Sequence, residues 1–136
     1  ENVMDTRIML EMGAFKTAIP LMDESDLSYA QKLLDAFHAE RNPQRYDTLN
    51  LQFHLALYAP CNNDVALSMI DQLHANSDRY LRPYYPKEDD SAFKSIEEHQ
   101  ALIDACHSKD AELACAVLRT HLESTKTLLL GSSLLN

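Results

Sequence analysis

Glycine is nearly missing from this chain of 136 residues: there are two, against five prolines and no run of alternating β-branched residues. A chain so poor in turn formers and strand patterns, and rich in Leu, Ala, Asp and Glu, points to an all-helical domain. The three cysteines, Cys61, Cys106 and Cys115, are odd in number and widely spaced. They form no disulfide framework, which suits a reducing, cytoplasmic compartment. No apolar run approaches the length of a membrane span, and no signal peptide opens the chain. Basic residues are also in deficit. A net charge of −9 makes a poor surface for phosphate, so the chain is not expected to grip nucleic acid itself. HExxH, the Gly-rich phosphate loop and the G-x-S-x-G elbow are all absent. The positions three residues before His54, His99 and His121 hold Leu51, Ile96 and Leu118, not the glutamates of a di-iron bundle.

The length allows one domain with one core. Apolar stripes at helical spacing predict about six helices in an antiparallel bundle. The first runs from Asn2 to Ala18 and buries Met4, Ile8, Met12, Phe15 and Ile19. The second runs from Asp26 to Ala39 behind a Ser25/Asp26 cap. The third begins at Asn42-Pro43 and ends near Ala59, before Pro60. The fourth runs from Asp64 to about Leu81, with Val65, Met69, Ile70, Leu73 and Leu81 on its apolar side. Pro83 and Pro86 bracket a Tyr84-Tyr85 corner. Gly131-Ser132-Ser133 is expected to stop the last helix and leave a frayed tail. Because the chain opens on Glu1, already in a helical pattern, it is expected to be part of a longer protein.

The most informative stretch is Glu98 to His121. Ala92, Ile96, His99, Ile103 and Cys106 form a stripe before the Ser108-Lys109-Asp110 break. Ala114, Val117, Leu118, His121, Leu122, Thr125, Leu128 and Leu129 form another after it. His99 and His121 lie about equally far from the break, roughly 15–16 Å along each helix. An antiparallel hairpin therefore sets the two imidazoles at one height on the buried seam. Asn50 and His54 share the stripe of Tyr46, Leu49, Phe53 and Leu57 and face the same way.

An unpartnered buried polar group costs on the order of 1–3 kcal/mol. Three histidines and an amide on apolar seams thus ask for one explanation. A divalent transition metal, Zn or Ni before others, would supply it; a hydrogen-bonded polar core is the bland alternative. Asn50 would ligate through its oxygen or hold a metal-bound water. His38, His74 and His107 are read as surface residues, and Glu98 as solvated or capping. Arg7 is either a carboxylate clamp facing the site or one half of a surface pair with Glu11. Arg79 points either inward or out.

Together, Arg7-x-x-Leu10-Glu11, Asn50-x-x-Phe53-His54-x-x-Leu57, Asn63, Glu98-His99, Ile103, Asp110-x-x-x-Ala114 and His121-Leu122 resemble the FCD domain. This is the effector-binding domain of the FadR subfamily of GntR-type bacterial transcription regulators. The resemblance covers nearly the whole chain. It implies an antiparallel helical bundle with a central pocket, following a winged helix-turn-helix DNA-binding domain that this chain lacks. It implies a metal held by Asn50, His54, His99 and His121, and a small carboxylate effector, such as a sugar acid, near Arg7; Arg79 is taken as a second candidate effector contact. It further implies a homodimer that touches DNA only through the other domain. Asn50 departs from the family, where this ligand is usually Asp. The competing reading is a metal-dependent hydrolase or lyase with a three-histidine site.

Overall fold

Residues 2–81 and 90–135 are described by the structure, a computed structural model. The side chains at 43, 78–81, 90–96 and 131–135 lie outside that description, as does the Tyr84-Tyr85 corner. The described residues form six α-helices and no strand: α1 (Asn2–Ala18), α2 (Glu24–Ala39), α3 (Pro43–Tyr58), α4 (Asp64–Leu81), α5 (Asp90–His107) and α6 (Ala111–Leu135). Short 3-10 turns, Ile19–Leu21 and Ala59–Cys61, follow α1 and α3, each carrying a proline that cannot extend the α-helix.

Local chemistry sets the helix ends. Asp23, not Ser25 or Asp26, caps α2. Its carboxylate accepts the Asp26 N–H at 2.9 Å, while Asp26 Oδ2 accepts the Asp23 N–H at 2.8 Å. That reciprocal box moves the start of the helix upstream of the expected Asp26. Asn42 caps α3 by accepting from the Gln44 N–H at 3.0 Å, with Pro43 in the first turn. Asn62 takes the left-handed φ of 56° that ends the second 3-10 turn, and Asn63 Oδ1 accepts from the Ala66 N–H at 3.0 Å to open α4. Lys109 turns the α5–α6 hairpin at φ 58°, and Asp110 caps α6 through the Leu113 N–H at 3.1 Å. Gly131 does not stop α6, which continues to Leu135. A helical glycine costs about 1 kcal/mol relative to alanine, a penalty but not a barrier between leucine-rich flanks.

α2 packs on α3 and α5, α5 pairs with α6, and α1 lies against α3, α4 and α6. Phe15, Leu34, Phe37, Phe53, Leu57, Ile70, Leu102, Ile103, Leu118 and Leu122 fill the common core. The expected stripes of α1, α3, α5 and α6 face it, apart from Leu128, which is exposed. Ala92 and Ile96 lie outside the described side chains. α4 differs more. Val65 is 71% exposed and Met69 is exposed too, while the inner face is Ile70, His74 and Ser77. Two of those three positions are polar because α1 presents charged groups to this seam, so counting apolar residues selects the wrong side.

Replacing Asn63 by Ala removes the cap of α4 without touching the core. We expect a loss of about 1 kcal/mol in chemical denaturation, with an unchanged dependence on denaturant.

Candidate metal centre

His54 on α3, His99 on α5 and His121 on α6 converge on one buried spot. One candidate ligand atom from each lies within 4.8 Å of the others. The His99 and His121 ring centres are 4.6 Å apart, His54 and His121 stack at 5.3 Å, and His54 and His99 lie 5.5 Å apart. Phe37 and Phe53 set their rings edge-on to His99 and close the site on its α2–α3 side.

Burial, then the nearness of His121, holds the basicity of both His54 and His99 well below that of ordinary imidazole. These rings are therefore neutral, the form that donates to a metal. His99 Nδ1 and Asn50 Oδ1 are buried with no hydrogen-bond partner among the described residues. Asn50 stands one helical turn before His54 on α3. Three converging imidazoles with a spare amide oxygen beside them suit a borderline divalent ion, whose bonds to nitrogen are about 2.0–2.1 Å.

The second cluster lies against α1. Arg7 is 3% exposed and Glu11 fully buried, so their i, i+4 pair is not on the surface. Arg7 donates from Nε to Glu11 Oε2 at 2.9 Å and from Nη1 to Ser77 Oγ at 2.8 Å; Nη2 meets His74 Nε2 at 2.8 Å. Glu11 Oε1 accepts from the Tyr58 hydroxyl at 2.7 Å and lies 3.1 Å from His74 Nε2. Burial alone would raise the Glu11 pKa, but Arg7 and then His74 outweigh it and hold the carboxyl well below its usual range. Burial, reinforced by Arg7, lowers the basicity of His74.

Two surface expectations need correction. His74 is 0% exposed, its ring centre 5.4 Å from that of His54. Its position four residues after Ile70 was the available signal, masked by the apolar Val65 and Met69. Glu98 is only 19% exposed and reaches His121 Nδ1 at 3.3 Å. His38 is half-buried, against Phe37, and His107 is exposed. Arg79 lies on α4, but its side chain is outside the described residues. The cysteines form no disulfide among the described residues. Burial pushes the Cys106 thiol up to about 12, which leaves it inert.

The family model of the FCD domain matches residues 2–124. The chain belongs to the FCD domain family. It is 26% identical over 132 residues to the HTH-type transcriptional regulator BphR of Paraburkholderia xenovorans, which covers 88% of this chain and 52% of that protein. It is 27% identical over 124 residues to the HTH-type regulator YcbG of Bacillus subtilis, covering 89% of this chain and 50% of the relative. This FCD chain thus spans about half the length of the curated relatives it matches. A GntR family transcriptional regulator from Pseudomonas syringae pv. tomato superposes with a TM-score of 0.78 at 24% identity, over 97% of this chain and 56% of that one. McbR/YncC of E. coli gives 0.80 at 23%, over 96% and 67%. Those two establish the all-helical bundle. BphR, YcbG and the Pseudomonas syringae protein are all described as transcriptional regulators. No helix among the described residues is long and apolar enough to cross a membrane.

The shifts fix a pH response for the metal-free chain. Unfolded, His54 and His99 bind protons as pH falls through about 6.5; folded, they do so only at lower pH. Their contribution is complete above about pH 7 and is lost progressively as pH falls below about 6.5. Glu11 adds a second loss below its ordinary value of 4.5. Thermal melts from pH 8 to pH 4 should decline in both windows; a flat profile would contradict the buried neutral rings.

Glu11→Ala leaves Arg7 buried without its carboxylate. We expect a loss of about 3–5 kcal/mol in denaturant titration, far above that of an exposed i, i+4 pair.

Proposed function

We propose that this FCD domain is the metal-dependent sensing domain of a bacterial transcription regulator, and that its effector is a small organic acid. His54, His99 and His121 hold one divalent transition metal, zinc or nickel before others, and Asn50 stands at the same centre. The bound ion supplies positive charge and open positions that a carboxylate completes, in a central pocket between the helices. Arg7, paired with Glu11, is proposed to face the effector from beside the cluster, and Arg79 to be a further effector contact. The convergence of three buried imidazoles from three helices carries the reading. In the family pattern the position of Asn50 is usually acidic. The amide leaves the ion more positive, so the effector's own negative charge counts for more.

The whole protein is proposed to be a cytoplasmic homodimer that meets DNA through a winged helix-turn-helix domain beyond this chain. Effector binding would shift the pairing of those domains by differential affinity for two arrangements. The regulator relatives weigh against the hydrolase or lyase reading.

Calorimetry and elemental analysis on the purified chain provide the test. His99→Ala should abolish uptake of zinc or nickel. Asn50→Asp should tighten it at least tenfold by restoring an anionic ligand. A thermal-shift screen of organic acids, with and without metal, should find stabilisation that needs both; a ligand at 100 times its Kd adds about 2.7 kcal/mol. If the chain takes up no divalent metal even with these acids present, the histidines are a polar core and the proposal fails.

A further inference from the structure

Two groups outside the imidazole cluster reach the Nδ1 atoms of two of its members. The Tyr58 oxygen stands 3.4 Å from His54 Nδ1 while its proton goes to Glu11 Oε1 at 2.7 Å. A phenol has one proton to give. The contact to the carboxylate is shorter and charge-assisted, so it takes that proton. The face of the oxygen toward His54 is therefore a lone pair, and the contact is favourable only if Nδ1 carries the hydrogen. That tautomer leaves Nε2 bare.

The same logic recurs on the other side of the cluster. Glu98 Oε1 lies 3.3 Å from His121 Nδ1. An ionised carboxylate can only accept, so this nitrogen too is the donor and Nε2 is left free. His99 differs, its Nδ1 having no partner among the described residues. Two of three rings are thus held from behind, by groups on α1, α3 and α5. When a metal withdraws electron density from an imidazole, the remaining N–H becomes a stronger donor, and such outer partners raise metal affinity.

We propose that Tyr58, anchored by Glu11, and Glu98 are positioning residues that fix the tautomer and orientation of His54 and His121, presenting Nε2 of each to the bound ion. This rests on the metal reading above, and its test separates the two. Imidazole nitrogen shifts of the 15N-labelled, metal-free chain at pH 8 should show Nδ1–H on both His54 and His121. Zinc affinity, by competition with a chelator, and the visible spectrum of bound Co2+ are then compared across variants. Tyr58→Phe and Glu98→Ala should each weaken zinc binding 10–100-fold and alter the Co2+ spectrum. Glu98→Gln keeps an accepting oxygen and should restore most of the affinity. Nε2–H on both rings of the wild type overturns the proposal. So does zinc binding by Tyr58→Phe and Glu98→Ala as tight as wild type, or a loss in Glu98→Gln equal to that in Glu98→Ala. Should Tyr58→Phe not fold, the pair of Glu98 variants still decides. A wild type that takes up no ion sinks the metal reading, while its tautomers still judge the positioning.

Discussion

The buried pairing of Arg7 with Glu11 is the constraint on which the arrangement of the site depends. Removing two charges from water costs several kcal/mol each, and their attraction offsets this only where further hydrogen bonds complete both groups. Here those bonds come from different helices. Tyr58 at the end of α3 donates to Glu11, and Ser77 on α4 accepts from Arg7, with His74 of α4 between the two charges. The pair therefore ties α1 to α3 and α4 at one height. An apolar replacement could match its stability but would not specify that register. Because Tyr58 lies one turn beyond His54, the height of His54 in the cluster follows from the Glu11 contact.

Charge balance around the cluster has a chemical consequence. Glu11 is neutralised by Arg7, and Asn50 carries no charge. His54 and His99 are neutral, and among the described residues the carboxylate that meets a cluster ring nitrogen is that of Glu98, against His121 and partly exposed. A divalent ion entering this environment remains undercompensated at short range. Beside the apolar rings of Phe37 and Phe53, under the proposal above, that excess positive charge would favour an anionic ligand more strongly than it would with an aspartate in place of Asn50.

Much of this was legible in the sequence, for definable reasons. Helix periodicity and the near-equal distances of His99 and His121 from the turn place those rings together without tertiary information. The four-residue spacing likewise puts Asn50 and His54 on one face. The start of α3 at Asn42-Pro43 is local and readable; the cap of α2 was misplaced because Asp23, Ser25 and Asp26 all offer acceptors, and only the reciprocal bond chooses. What was hidden is long-range. His74 and Ser77 are buried because Arg7, some 70 residues away in sequence, needs them. No count of apolar residues on α4 contains that fact. Tyr58 and Glu98 were hidden similarly: their partners are defined by the fold, not by spacing along one helix.

The choice between a metal site and an inert polar core turns on how polar atoms are satisfied. A polar core kept for structure is stable when its polar atoms meet one another, as His74 Nε2 meets Arg7 and Glu11. Within the cluster, Tyr58 and Glu98 stand against Nδ1 of His54 and His121, and neither His99 Nδ1 nor Asn50 Oδ1 finds a partner among the described residues. Each such atom costs on the order of 1–3 kcal/mol, which is a large fraction of the stability of a domain this size. Three imidazoles gathered at that expense are poorly explained by packing, since leucine would fill the same volume without the penalty. An occupant that draws on several nitrogens at once would explain them better, and imidazole nitrogen is a donor that a borderline divalent ion takes.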